Sequence, residues 1–115
     1  MRSPEQTKKL INKYLKWWIH WTGLGFHTIN TVFVDFWEGG LDADAICESH
    51  WEYLEHTITF NITHLQSQSD ESIEATVVHE LMHIFLNEMR EEGIEHEERV
   101  ASTLQKAFVW VRGAK

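Results

Sequence analysis

The chain has 115 residues, 43% of them hydrophobic and 24% charged, proportions ordinary for one globular domain with a single core and too short for a second. A formal net charge of −8 argues against a nonspecific grip on a phosphate backbone, so nucleic acid is not an expected partner. No stretch approaches the roughly 20 consecutive apolar residues of a membrane span, and the lone Cys47 cannot close an internal disulfide, which suits a reducing cytoplasm.

The polar start Met1 to Gln6 leads into no apolar stretch with a small-residue cleavage site, so a secretory signal is not expected. Ser3-Pro4-Glu5-Gln6 instead reads as a helix start. Ser3 is the N-cap, Pro4 lies in the first turn, and Gln6 closes a capping box from three residues past the cap. This helix is expected to run to about Thr22 and to stop at Gly23 and Gly25. Its apolar positions Leu10, Ile11, Tyr14, Leu15, Trp17, Trp18, Ile19 and Trp21 form a wide stripe that needs a cover. The sheet and a later helix are the expected cover; a stripe left open would make a homodimer contact or a partner surface. Lys8, Lys9, Lys13 and Lys16 read as its solvated face.

Residues 26–36 are β-branched, aromatic and partly alternating, a first strand, and Glu38-Gly39-Gly40-Leu41-Asp42 supplies turn chemistry. A second strand is expected over residues 45–53, with Cys47 as a buried or half-buried member. A third, residues 56–63, places Ile58, Phe60 and Ile62 on one face. Leu54-Glu55 is short enough to make the last two a hairpin, although neither residue favours the positive φ of the tightest turns.

After the polar segment 66–70 a helix is expected from about Glu71 to Arg90, and a last helix follows the break at Gly93, from about Glu95 to Arg112. The order predicts an α+β domain: an N-terminal helix, a small, mainly antiparallel three-stranded sheet, and two further helices packed on it, all within one unit spanning 1–115.

The motif that carries chemistry is His79-Glu80-Leu81-Met82-His83, an HExxH set in a helical pattern made by Val77, Val78, Leu81, Met82, Phe85 and Leu86. Chance would produce HExxH about 0.07 times in a chain of this composition, so its helical setting adds the specificity. Positions four apart share a helix face about 6 Å apart along the axis, so both imidazoles can reach one Zn²⁺. Glu80 then lies where its carboxylate can take a proton from water activated by that metal, and an expected zinc-dependent hydrolase follows.

A catalytic zinc usually takes three protein ligands. The candidates are Glu95, His96, Glu97 and Glu98. The apolar stripe Val100, Ala101, Leu104, Phe108 and Val111 puts Glu97 near its centre and Glu98 on its flank; this geometry mildly favours Glu97 but fits either. His96 reads as a surface residue by default.

An HExxH helix followed by a second helix carrying a ligand Glu resembles the gluzincin branch of zinc metallopeptidases. The short form resembles the minimal gluzincins of phage and prophage genomes. The likeness covers about residues 45 to 112 and rests on Val77 to His83 and on Glu97-Glu98-Arg99-Val100-Ala101-Ser102. Its register implies a zincin-like core with Glu98 as the third ligand, Val100 in the core and Ser102 beside a zinc-bound His. It also implies a metallopeptidase in which His79, His83 and Glu98 hold Zn²⁺ and Glu80 is the general base acting on a peptide or protein substrate. The strand 56–63 would be the edge along which an extended peptide pairs, and His64, just past it, a candidate to stabilise the oxyanion as well as a surface residue. Relative to the larger enzymes, Ser102 stands where some carry an acid, and a further domain to supply a Tyr or His stabiliser is not expected. The alternative is a zinc-binding regulatory or interaction module of phage or prophage type without turnover. His20, His27, His50 and His56 receive no role.

Overall fold

The computed structural model describes residues 1–35, 43–50, 53–86 and 97–113. The expected turn at 38–42, the end of the second strand at Trp51 and Glu52, the motif helix beyond Leu86 and the break at Gly93 lie outside the described residues. Helix α1 spans Pro4–Thr22 and begins as its sequence dictates. Ser3 Oγ accepts from the Gln6 backbone N–H at 3.1 Å and Gln6 Oε1 accepts from the Ser3 N–H at 2.9 Å, so two backbone donors that lack helical partners are satisfied reciprocally. Gly23, at φ 75°, ends the helix in the left-handed conformation that costs a side chain most. A 3₁₀ turn, Leu24–Phe26, leads into β1, Thr28–Val34.

Strands β2, Ala45–His50, and β3, Glu55–Asn61, pair as the expected antiparallel hairpin. Leu54 makes their turn at φ 51°, a left-handed conformation that costs a leucine about 1 kcal/mol, and its carbonyl accepts from the Thr28 N–H at 2.8 Å. The sheet order is β1-β3-β2, and β1 runs parallel to β3. The fold is thus the expected small α+β, but the sheet is mixed. Strand 56–63, expected at an edge, is the central strand, because both neighbours hydrogen-bond to it; the edges are β1 and β2. Its end is also earlier than expected: Asn61 turns the chain by capping α2, Ile62–Leu65, with its side-chain oxygen accepting from the His64 N–H at 3.2 Å.

Cross-strand register stacks Phe33, Phe60 and Ala45 in one row, Thr31, Ile58 and Cys47 in the next, and Ile29, His56 and Ser49 in the last. The alternation of β3 buries His56, Ile58 and Phe60 on the helix side. Helix α3, Asp70–Phe85, is capped by Ser69 and packs against α1, β2 and α4, Glu97–Gly113. Burial of Ile73, Val77, Val78, Leu81 and Met82 against Ile11, Leu15, Ile58 and Phe60 removes each side chain from water, worth about 1.5–3 kcal/mol apiece. No described helix is long and apolar enough to cross a membrane.

The covering of α1 is uneven. Trp18 is buried and its indole N–H donates to Glu74 Oε2 at 2.8 Å, whereas Trp17 and Trp21 face outward. Helix α4 behaves alike: Ala101 is buried, while Phe108 and Val111, expected in the apolar stripe, are exposed.

Candidate metal centre

The 3.6-residue period of α3 places His79 and His83 on one face, their Nε2 atoms 3.2 Å apart. Helix α4 begins opposite them. Glu98 reaches both rings, with Oε2 3.1 Å from His79 Nε2 and Oε1 2.8 Å from His83 Nε2. The three side chains offer atoms within 4.8 Å of one another. Glu97 contacts the other nitrogen of His83, Nδ1. The two neighbouring acids therefore part company: Glu98 joins the cluster, and Glu97 stands behind one of its rings. Glu95 and His96 lie outside the described residues.

This division fixes the chemistry of the cluster. A carboxylate at Nδ1 favours the tautomer in which Nδ1–H donates to Glu97, which turns the Nε2 lone pair of His83 toward His79 and Glu98. Acceptors then face one another, an arrangement that a shared cation satisfies. The spacings fit a small one. Ligand bonds of about 2.1 Å in a tetrahedron put ligand atoms about 3.4 Å apart, close to the 2.8, 3.1 and 3.2 Å seen here. Two imidazoles and a carboxylate are a donor set suited to zinc.

Burial is graded across the cluster. The His83 side chain is 5% exposed and that of Glu97 13%, whereas Glu98 is 77% exposed. The cluster is thus walled on the protein side and open on the other. On the open side lies a groove of about 460 Å³ lined by His79, Glu80, Glu98, Thr76 and, from the edge strand, Ala45 and Ile46. Glu80 is buried in the wall of this groove, one residue from His79.

His64 does not line the groove. Its Nδ1 lies 3.6 Å from Asp44 Oδ1, and Asp44, which also accepts from Gln68 Nε2 at 3.1 Å, does line it. Ser102 and Val100 are half-buried on α4.

Sequence reasoning missed a second histidine pair. His27 Nδ1 lies 2.8 Å from His56 Nε2, and His56 Nδ1 lies 2.7 Å from Ser49 Oγ. Burial pushes the pKa of both rings down, and His27 adds to the effect on His56. The signal was present in the strand alternation, since His56 shares parity with Ile58 and Phe60. The role of β2 as the wall of the groove carried no such signal, because it depends on which strand lies outermost. No protein-family model, curated protein or solved structure matches the chain.

Proposed function

We propose that the chain is a gluzincin-like zinc metallopeptidase in which His79, His83 and Glu98 hold Zn²⁺ and Glu80 is the general base. The observation that carries the reading is the convergence of two imidazole nitrogens and one carboxylate at ligand spacing, with Glu80 beside them in an open groove. Bound there, zinc supplies Lewis acidity toward a carbonyl oxygen and lowers the pKa of water to about 7.

The residues of the chain supply the rest. Glu80, at the groove wall, accepts a proton from the attacking water and returns it to the leaving amine, a pair of transfers worth about 10²–10⁴-fold in rate. Glu97 holds His83 in the tautomer that presents Nε2, as carboxylates behind metal-bound histidines commonly do. The outer edge of β2, unpaired among the described residues, runs along the groove at Ala45 and Ile46, so an extended peptide would pair with β2 rather than with the strand 56–63. A reducing cytoplasm is the compartment we infer, since Cys47 is buried as a thiol.

The test is a metal analysis of the purified protein joined to a cleavage assay on an unstructured protein such as casein. The parent should carry about one zinc per chain and cleave, whereas Glu80→Gln should keep zinc and lose cleavage. A parent that holds zinc in this cluster and cleaves nothing would favour the regulatory-module reading, and a parent without metal affinity would end both.

A further inference from the structure

Away from the metal centre, α1 carries a surface whose chemistry is divided along its length. Gln6, Lys9, Lys13, Trp17 and Trp21 recur at spacings of three or four residues and so form one ridge. Three hollows follow this ridge and share lining residues. The first, about 420 Å³, lies beside Gln6, Lys9 and Lys13. The second, about 630 Å³, lies beside Lys13, Lys16, Trp17 and Arg112. The third, about 400 Å³, is walled by Trp17, Trp18, Trp21, Phe108 and Val111. Lys13 joins the first to the second, and Trp17 and Arg112 join the second to the third.

The aromatic end is built rather than incidental. Trp18 is held by its hydrogen bond to Glu74 and packs edge-on against both Trp17, at 4.9 Å between centroids, and Phe108, at 6.3 Å. Yet Trp21 is 66% exposed and Val111 63%, so a rigid apolar socket stands open to water. The basic end is available. Arg2 and Arg112 are paired with Asp70 and Glu74, but Lys9, Lys13 and Lys16 have no carboxylate partner among the described residues. Half of the chain's ten Lys and Arg line this one track, although the chain as a whole is acidic.

We propose that this track is a docking site for an acidic peptide segment bearing one bulky aromatic or aliphatic anchor. The anchor fills the Trp17–Trp21–Phe108 socket, and the acidic residues run back over Lys16, Lys13 and Lys9. From Gln6 to Trp21 is about 22 Å along the helix axis, the length of about seven residues of extended chain. Segregation of the two chemistries selects this occupant. Single-stranded nucleic acid stacks successive bases on aromatic rings interleaved with cations, whereas here the rings gather at one end. A second copy that covered the whole track would need its two-fold axis at the middle, near Lys13, and would bring Lys13 and Lys16 against their own equivalents. This site is distinct from the metal centre and does not depend on its function.

The experiment is fluorescence anisotropy with a labelled peptide of about nine residues containing one Trp and otherwise mostly Asp and Glu. Its controls are the same peptide with Ala for Trp, an oligothymidylate of matched length, and sedimentation velocity of the protein alone. Saturable binding is expected, weakened at least about tenfold by loss of the peptide Trp, by Trp17→Ala, or by Lys13→Glu with Lys16→Glu. Added salt should weaken it further. Both protein variants change exposed side chains, and an unchanged thermal melt shows that they fold. No saturation by about 1 mM peptide, tighter binding of the oligonucleotide, or self-association abolished by Trp17→Ala would each overturn the proposal.

Discussion

Two histidine pairs lie in this chain at nearly the same separation, and their surroundings give them opposite characters. His79 and His83 meet at 3.2 Å with Glu98 across their Nε2 atoms and Glu97 behind His83; His27 and His56 meet at 2.8 Å with the neutral Ser49 hydroxyl at the far nitrogen of His56. The carboxylates that face the first pair complete a set of donors for a shared cation. Burial disfavours charge on the second, whose pKa values move down. A short distance between imidazoles therefore says little by itself; the groups that face them decide whether the pair collects a cation or refuses one.

The largest effect expected is at the general base. Glu80→Gln should lower peptide cleavage by at least about 100-fold with zinc content unchanged, read by an assay on casein beside metal analysis. Next, His79→Ala or Glu98→Ala should remove stoichiometric zinc, while His27→Ala and His56→Ala should leave it in place. Zinc lost equally from both pairs of variants would break the comparison. Glu97→Ala should be milder, weakening zinc about 10- to 100-fold by releasing the ring it orients, measured by competition with a chromophoric chelator. Loss of zinc in Glu97→Ala but not in Glu98→Ala would reverse the roles assigned to the two acids.

The smallest effect concerns the second pair. Because its folded pKa values lie below the ordinary histidine value of 6.5, the unfolded chain binds more protons and stability rises with pH. The contribution is present above about pH 6.5 and is lost as pH falls through the depressed values. Thermal melts between pH 7.5 and 5 should show this loss, and His56→Leu should flatten it; an unchanged slope in that variant would show that the pair is not responsible.

Local chemistry made the long helices legible, though not the short α2 that Asn61 caps. The capping box at Ser3 and Gln6 and the stop at Gly23 are written in adjacent residues, and α1 begins and ends where they say. The HExxH spacing likewise guaranteed that His79 and His83 share a face. Strand order was not legible, since nothing within residues 28–34 or 55–61 states that they pair side by side in parallel across 27 positions. The choice between Glu97 and Glu98 was hidden for a related reason: neighbours on a helix differ by about 100°, and which one meets His79 depends on how α4 is rotated against α3. The open face of Trp17 and Trp21 was equally hidden, because an apolar stripe does not say how much of itself will be covered.

That rotation is pinned twice. Near the start of α4, Glu97 and Glu98 grasp α3 through His83 and His79; near its end, Arg112 grasps α3 through the buried Glu74. About 21 Å of helix separates these clasps, and an oily seam between them could by itself tolerate a roll of the cylinder. A key with teeth at both ends turns only as a whole, so any twist that spoiled one grip would strain the other.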